Sequence, residues 1–351
     1  MQVSSDQIKV LDVTLRDGGH VNNFNFGEKN IQKIVDKLSK SKIDAIELGF
    51  LMDGNHSVNQ SRFNHISEVE KFLINHDSLN EYFVMIRPDW YDISNLEKAC
   101  GRVKNIRFAF YYKDLELTFS QAIKARELGY KVYLNPINVF SYSQYELEDL
   151  LKKLNVFCPS AISIVDTFGC MQPKDLDIFY SIFNRNIDKE IAIGLHLHEN
   201  LSLSFALAQQ FIKNIDNSRN YYIDSSLAGM GRIPGNLCTE LILQYLNTEF
   251  SKEYNLENVY SLITDPISDI RKRIPWGYLP AYGITAFLKV HRSYAEYLLE
   301  KPRLSLDDIY QILSNIKNKN DREFFNKDLL NSLYSQFLIE KEKEIPQEII
   351  I

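Results

Sequence analysis

The sequence contains little cysteine. Only four of its 351 residues are cysteine, and no two of them stand in C-x-x-C spacing: Cys100, Cys158, Cys170 and Cys238. This scarcity excludes a framework of disulfide bonds and a zinc site built from thiolates.

Long apolar runs and an excess of positive charge are also missing. No stretch approaches the roughly 18 consecutive apolar residues that cross a membrane. The N-terminal residues MQVSSDQIKVLDVTLRD do not form a charged segment followed by an apolar one, so no signal peptide is visible. A formal net charge of -6 and a pI near 5.7 provide no basic surface for nucleic acid or anionic lipid. We therefore expect a cytoplasmic, reduced protein with neither nucleic acid nor membrane as a partner.

Short β-rich runs alternate with amphipathic stretches from Lys9 to about Gln244. The runs are KVLDVTL, DAIELGF, YFVMIRP, NIRFAFYY, KVYLNPINVF, AISIVDTFG, IAIGLHLH and YYIDSSLAG. Between them, apolar residues recur three and four apart, which predicts helices; the connection YDISNLEKACGRV shows this pattern least. Eight such units predict an α/β fold, a (β/α)8 TIM barrel. The competing fold, a doubly wound sheet, normally carries a G-x-G-x-x-G turn after its first strand, and that turn is absent.

The alternation stops near Asn247, and the remaining sequence is helical in pattern. Helices are predicted in GITAFLKVHRSYAEYLLEK, SLDDIYQILSNIKN and KDLLNSLYSQFLIEKEKE, and SLDD has the form of a capping box. We therefore divide the chain into a TIM-barrel catalytic domain, 1–246, and a helical C-terminal region, 247–351.

Two histidines stand one residue apart at the end of the seventh predicted strand. Side chains at i and i+2 of a strand point to the same side, so His196 and His198 face together at the end where barrels of this type place their active sites. Two imidazoles can bind one divalent ion. The alternative is a pair of hydrogen-bonded polar side chains without a metal.

Further polar residues follow the first and eighth strands. Arg16, Asp17 and His20 lie in DVTLRDGGH, and Asn236 ends the glycine-rich GMGRIPGN. In a closed barrel the first strand neighbours the eighth, which neighbours the seventh, so we expect these residues near the histidine pair. An Asp with two His is typical of a catalytic metal site. Alternatively, Asp17 only forms a turn with Arg16 as its ion-pair partner, and GMGRIPGN cradles a phosphate with Asn236 as a helix cap.

Three segments together resemble a known family. DVTLRDGGH, GLHLHENLSLSFA and DSSLAGMGRIPGN are similar to the signature segments of the DRE-TIM metallolyases, the HMG-CoA lyase-like aldolases and lyases that also include isopropylmalate and homocitrate synthases. Within this family, TLRDG-H, H-H-NLSL and D-SLAGMG most resemble 4-hydroxy-2-oxovalerate aldolase. The match covers the whole predicted barrel.

The resemblance implies a divalent metal ion, with Mn²⁺ expected first and Co²⁺, Mg²⁺ or Zn²⁺ as alternatives. Its ligands would be Asp17, His196 and His198, and Asn236 matches a position that in lyase members is a further ligand or supports one. Arg16 would stabilise an enolate.

Other roles also come from the resemblance. His20 would be the catalytic base, and Thr167 would contact the 2-oxo acid. Glu47 would support substrate binding by orienting Arg16 or a metal-bound water. WGYLPAYG resembles an aldolase segment with a catalytic tyrosine, which favours Tyr282 over Tyr278; aromatic core packing is the equal alternative for both.

The activity expected is cleavage or formation of a C–C bond in a 4-hydroxy-2-oxo acid through a pyruvate-type enolate. A Claisen-type synthase that uses acetyl-CoA and a 2-oxo acid is the first alternative, but such synthases usually have Gln or Glu where this chain has His20. A non-catalytic scaffold is the second alternative. The partners expected are a 2-oxo acid, an aldehyde and a second copy of the chain. We do not carry over the aldehyde dehydrogenase of the aldolases, because the C-terminal region is more aromatic and more charged here.

Overall fold

The computed structural model describes residues 4–74 and 79–344, and of residue 342 the backbone only. The chain divides into two compact units, Met1–Gly277 and Tyr278–Ile351. No helix among the described residues has the length and apolarity needed to cross a membrane.

The first unit is built on a closed barrel of eight parallel strands. Each strand pairs with the next along the chain, and β1 pairs with both β2 and β8, which closes the ring. A short strand, Arg62–Phe63, adds to the edge of β2. The predicted TIM barrel is thus confirmed. The barrel strands are β1 (Ile8–Asp12), β2 (Ala45–Leu51), β3 (Glu81–Ile86), β4 (Val103–Phe110), β5 (Lys131–Pro136), β6 (Ala161–Val165), β7 (Ala192–His196) and β8 (Tyr221–Ser225).

Helices cover the outside of the barrel. Both faces of the strands are therefore buried, which explains their near-continuous apolar sequences. The connection between β3 and β4 contains only a single 3-10 turn, Ile93–Asn95, in which Asp92 accepts a hydrogen bond from the Ser94 backbone. The helices of this part are Glu28–Lys40, Ile66–Glu70, Leu115–Glu127, Gln144–Phe157, Pro173–Asn186, Ser204–Asn214 and Thr239–Phe250.

Residues 251–277 continue the first unit beyond the last barrel helix. They contain the helices Leu256–Leu262 and Ser268–Arg273, joined by a π-helical turn. Tyr254 donates a hydrogen bond to Asp44 (2.5 Å), and the Trp276 indole donates one to the carbonyl of Ala228 (2.9 Å). The predicted boundary at residue 247 lies inside the helix Thr239–Phe250, whereas the division into compact units falls after Gly277. Residues 1–3, 75–78 and 345–351 of the predicted division lie outside the described residues.

The second unit is helical in its described part. The predicted helix over GITAFLKVHRSYAEYLLEK is two helices, because Lys289 adopts a left-handed conformation (φ 53°) and the His291 ring accepts the Ser293 N–H that begins the next helix (3.2 Å). The predicted capping box is confirmed between Ser305 and Asp308. The helices are Pro280–Leu288, Ser293–Leu299, Leu306–Ser314, Lys319–Glu323 and Lys327–Glu344.

Candidate active site

The chain turns sharply after β1 and carries three of the predicted site residues. The backbone N–H of Asp17 bonds to the carbonyl of Val13 (2.7 Å), and a 3-10 turn follows over Gly18–His20. A side chain at Gly19 would overlap the ring of Phe24, so the absence of a Cβ allows this turn to pack closely. The turn directs Asp17 into the mouth of the barrel at its carboxyl end.

The histidine pair meets Asp17 there. The rings of His196 and His198 lie 4.9 Å apart, nearly perpendicular to each other. One potential ligand atom from each of the three side chains lies within 4.8 Å of the other two, and His196 Nε2 is 3.4 Å from Asp17 Oδ2. The predicted neighbourhood of β1, β8 and β7 brings these groups together, and their role as ligands stays a prediction.

The other nitrogen of each ring is already bound. Nδ1 of His196 lies 2.9 Å from Oδ2 of Asp224, and Nδ1 of His198 lies 2.8 Å from the carbonyl oxygen of Asp166. A carbonyl only accepts, so His198 carries its proton on Nδ1 and its Nε2 is the nitrogen that can bind an ion. An imidazole whose second ring nitrogen bonds to a carboxylate or carbonyl oxygen is typical of a metal-binding histidine. In addition, Oδ1 of Asp17 is buried without a hydrogen-bond partner. These features fit a divalent cation.

Burial and charge oppose each other at these residues. Burial alone would raise the pKa of Asp17, but the charge of Arg16 and the hydrogen bond with His196 outweigh it and hold that pKa well below its usual value. Burial alone would lower the pKa of His196, but Asp17 and Asp224 outweigh it and raise the pKa. The site thus stabilises positive charge between its carboxylates.

Four charged side chains surround the ligand cluster on its inner side. Arg16 pairs with Asp17, and its Nε donates to Oε2 of Glu47 (2.6 Å). Arg107 donates to the same Glu47 oxygen (3.2 Å) and to Oδ2 of Asp224 (2.5 Å). All of them are at most 5% exposed. We call Arg16, Glu47, Arg107 and Asp224 the charge ring. Glu47 accepts a hydrogen bond from Arg16, which agrees with its predicted role of orienting that side chain.

The sequence reasoning missed Arg107 and Asp224. Both lie inside predicted strands, in NIRFAFYY and YYIDSSLAG, and both are nearly fully buried. Burial alone would raise the pKa of Asp224, but Arg107 and the hydrogen bond with His196 lower it to about 2. The available signal was a charged residue at an inward-facing position of an otherwise apolar strand, since such a charge needs a partner inside the barrel.

Asn236 lies beside the histidine pair. Its backbone forms an isolated antiparallel bridge with His198, and its Nδ2 donates to the carbonyl of Met230 (3.2 Å). Its Oδ1 is buried without a hydrogen-bond partner. The alternative reading of Asn236 as a helix cap is wrong, because the next helix begins at Thr239 with Cys238 in the capping position. Asn236 can offer an oxygen, and its role as a ligand stays a prediction.

His20 is placed against an aromatic wall. Its ring packs edge-to-face on Phe24 (4.9 Å between centroids) and Phe50 (5.9 Å). Nη2 of Arg232 lies 3.4 Å from each of its ring nitrogens. A nitrogen that faces a guanidinium is best placed as an acceptor. His20 is half-buried at the mouth, and its role as a base stays a prediction.

The remaining predicted residues differ in their surroundings. Thr167 follows β6, and its hydroxyl accepts the backbone N–H of Asn138 (2.8 Å). Tyr282 and Tyr278 belong to the second unit. Tyr282 is buried, and burial together with Glu296 raises its pKa to about 12, whereas Tyr278 is 55% exposed. The substrate-binding role of Thr167 and the catalytic role of Tyr282 stay predictions.

Comparison with known proteins identifies the family. The family model described as HMGL-like matches residues 7–264, which is well over half of the chain. This chain belongs to the HMGL-like family. The resemblance drawn from the three sequence motifs is thereby confirmed, and an enzyme of the metal-dependent lyase and aldolase type follows from it.

Two relatives with different named activities align almost equally well with this chain. A 4-hydroxy-2-oxovalerate aldolase of Geobacillus genomosp. 3 is 25% identical over 284 residues, covering 75% of this chain and 78% of that protein. A homocitrate synthase of Pyrococcus abyssi is 24% identical over 306 residues, covering 84% and 80%. These two identities are too similar to distinguish one activity from the other.

A solved structure supports the barrel assignment. The crystal structure of an N-terminal domain from Bacteroides vulgatus has a TM-score of 0.72 and 23% identity to this HMGL-like chain. The alignment covers 84% of this chain and 97% of that domain. At this identity the likeness concerns the fold.

Proposed function

We propose that this protein is a divalent-metal-dependent aldolase that cleaves or forms a C–C bond in a 4-hydroxy-2-oxo acid through a pyruvate-type enolate. The observation that carries the proposal is the cluster of Asp17, His196 and His198 next to the buried Arg16. Arg16 and Asp17 lie in the same segment after β1 as His20. The cluster offers one carboxylate oxygen and two imidazole nitrogens, and the buried Oδ1 atoms of Asp17 and Asn236 add oxygen donors without partners.

The ion would act as a Lewis acid for the negative charge that develops on the oxygen of the enolate. Mn²⁺, Co²⁺ and Zn²⁺ suit a mixed set of imidazole and oxygen ligands. Mg²⁺ prefers a set with fewer nitrogens. Two imidazoles therefore favour Mn²⁺, Co²⁺ or Zn²⁺ over Mg²⁺.

Arg16 supplies a fixed cation at the same place. Its Nε donates to Glu47 and one of its Nη atoms pairs with Asp17, so its orientation is set before a substrate binds. A preorganised cation stabilises developing charge without reorganisation during the reaction. Arginine suits this task because its planar charge does not titrate in the physiological range.

His20 would move the proton of the 4-hydroxyl group. In cleavage it would take that proton while the C3–C4 bond breaks, the C4 oxygen becomes the aldehyde and the electron pair passes to the enolate. In condensation it would return the proton. The half-buried position of His20 at the mouth gives a ligand access to its ring, and a neutral imidazole can perform both steps.

Proton exchange on pyruvate in deuterated water tests this function. The Mn²⁺-loaded protein should catalyse exchange of the methyl protons without any second substrate, as followed by NMR. His20→Ala should bind Mn²⁺ like the wild type and lose aldol cleavage. Absence of exchange with every one of the four metals, in protein that has bound the metal, would reject the aldolase.

A Claisen-type synthase is the second candidate, favoured by the homocitrate synthase among the relatives. It would use the same metal cluster and Arg16 but deprotonate the methyl group of acetyl-CoA. His20 supports the aldolase instead, because synthases usually carry Gln or Glu in that region. Exchange of acetyl-CoA methyl protons, with none on pyruvate, would reverse this ranking.

A further inference from the structure

Arg107 is the one member of the charge ring that donates to both of its carboxylates at hydrogen-bond distance. It does not lie in any of the three sequence motifs. It comes from the middle of β4, and its side chain is only 3% exposed. One nitrogen donates to Glu47, which also binds Arg16; the other donates to Asp224, which also binds His196. A single shared carboxylate thus links Arg107 to Arg16, the proposed catalytic cation, and another links it to His196, a proposed metal ligand.

The distances show how Asp224 is shared. Its Oδ2 is 2.5 Å from Arg107 Nη2 and 2.9 Å from His196 Nδ1, but 4.0 Å from Arg16 Nη2. Without the bond from Arg107, Asp224 would be open to Arg16, the next nearest cation of the charge ring. Opposite charges at low dielectric attract strongly, so Arg16 would turn towards Asp224 and away from Glu47 and Asp17.

We propose that Arg107 is a positioning residue, whose planar fork binds Asp224 and Glu47 at the same time so that Arg16 stays directed at the reaction site and His196 keeps its orientation for the metal. The catalytic part of this inference rests on the proposed function, whereas the part that concerns metal binding does not. Stability alone does not account for a buried ion pair of this kind, since apolar residues of similar volume often stabilise a protein equally well or better.

The test uses Arg107→Lys with Arg219→Lys as a matched control. Lysine keeps the charge but cannot reach both carboxylates with a planar fork. Arg219 is equally buried and precedes β8 at the opposite end of the barrel, where its guanidinium donates to the backbone carbonyls of Asp188, Ile187 and Ile191. Both variants lose buried hydrogen bonds, but only Arg107→Lys disturbs partners of the metal cluster.

Three quantities are measured on the full-length protein: the Mn²⁺ dissociation constant from the EPR signal of free Mn²⁺, the melting temperature, and kcat and KM for pyruvate proton exchange at saturating Mn²⁺. For Arg107→Lys we expect the Mn²⁺ dissociation constant to rise about tenfold or more, as for other residues that orient metal ligands. We also expect kcat to fall by a larger factor than KM rises. Arg219→Lys should lower the melting temperature and leave the Mn²⁺ dissociation constant within about twofold of wild type.

A purely structural role for Arg107 predicts a different result. If Arg107→Lys lowers the melting temperature like Arg219→Lys and leaves Mn²⁺ affinity and kcat unchanged, the proposal is wrong. Should Arg107→Lys fail to fold, Arg107→Gln is measured in its place, and failure of both to fold while Arg219→Lys folds would also overturn it. If the wild type exchanges no pyruvate protons, the proposed function fails, and the Mn²⁺ comparison still tests Arg107.

Discussion

At the amino end of the barrel interior, Phe83, Tyr133 and Tyr222 pack edge-to-face with ring centroids 4.8 to 6.1 Å apart. At the carboxyl end lie the charge ring and the candidate metal ligands, which come from β2, β4, β8, the carboxyl end of β7 and the turn after β1. The amino end gains free energy simply by removing apolar surface from water. The carboxyl end places charges at positions of similar burial, where each needs a partner to offset its desolvation.

The two ends also handle their polar atoms differently. At the amino end the Tyr222 hydroxyl donates to Glu81 (2.8 Å), and Lys9 pairs with the same carboxylate. At the carboxyl end Asp17, Glu47 and Asn236 each keep a buried oxygen without a hydrogen-bond partner. Satisfied groups are typical of a stable core, whereas unsatisfied ones in a mouth indicate a site for a ligand. The unsatisfied oxygens in the mouth therefore indicate that a ligand binds at the carboxyl end.

The largest effect is expected when a ligand of the carboxyl end is removed. His196→Ala should lose tightly bound metal, because one of the two imidazoles of the cluster disappears. Metal analysis after dialysis against a metal-containing buffer measures this loss, with Tyr222→Phe at the amino end as the control. Retention of stoichiometric metal by His196→Ala would contradict the assignment of the cluster.

Removing the base should separate binding from turnover. His20→Ala is expected to keep its metal and to lose about 10²–10⁴-fold in kcat for aldol cleavage, the usual contribution of a general base. Steady-state kinetics with a 4-hydroxy-2-oxo acid, together with metal analysis, provide the comparison. A variant with wild-type kcat would show that the proton goes elsewhere.

A large-to-small substitution at the amino end should have the opposite profile. Phe83→Ala removes a fully buried ring, and such changes cost about 3–5 kcal/mol of the free energy of unfolding. Denaturant unfolding measures the cost, and Mn²⁺ titration at a temperature where the variant is folded should give a dissociation constant like that of wild type. A metal site weakened more than about tenfold would show that the two ends are not independent.

A buried carboxylate outside the charge ring offers the smallest effect. Asp12 accepts hydrogen bonds from the Thr14 backbone and the Thr239 hydroxyl, but burial outweighs them and raises its pKa to about 6. Because the folded-state pKa lies above the unfolded value, this group contributes stability at low pH that is lost as the pH rises through about 6. Relative to wild type, Asp12→Asn should therefore gain about 1 kcal/mol in free energy of unfolding between pH 5 and pH 7.5.

Denaturant unfolding of wild type and Asp12→Asn at both pH values measures this difference. Asp224 is the contrast, because Arg107 and His196 lower its pKa to about 2 although it is equally buried. A stability difference between wild type and Asp12→Asn that does not change with pH would show that Asp12 has an ordinary pKa.

Much of the fold followed from the sequence because it depends on local patterns. All eight barrel strands were predicted, since parallel strands buried on both faces are nearly continuous apolar runs. The connection with the weakest helical pattern contains only a 3-10 turn in its described structure. The prediction of a single helix beginning at Gly283 was wrong, because the left-handed Lys289 interrupts a stretch whose periodicity is otherwise helical, and the His291 ring accepts the Ser293 N–H where the second helix begins.

The site was predictable where residues cluster in short motifs. Asp17 and the histidine pair could be brought together because neighbouring strands of a closed barrel have neighbouring ends. Arg107 could not be found in this way, since its partners Glu47 and Asp224 lie 60 and 117 positions away along the chain. Only the register between strands decides whether such charges face one another.

The amino-acid order alone predicted the barrel, its family and the residues of the candidate metal site, because each follows from periodicity or from short motifs along the chain. The tertiary structure decided which carboxylate serves which cation, and where the compact unit of the barrel ends. Those outcomes depend on distances between side chains from different strands. Closure of the barrel sets these distances, because it brings the inward-facing side chains of separate strands within a few ångströms of one another.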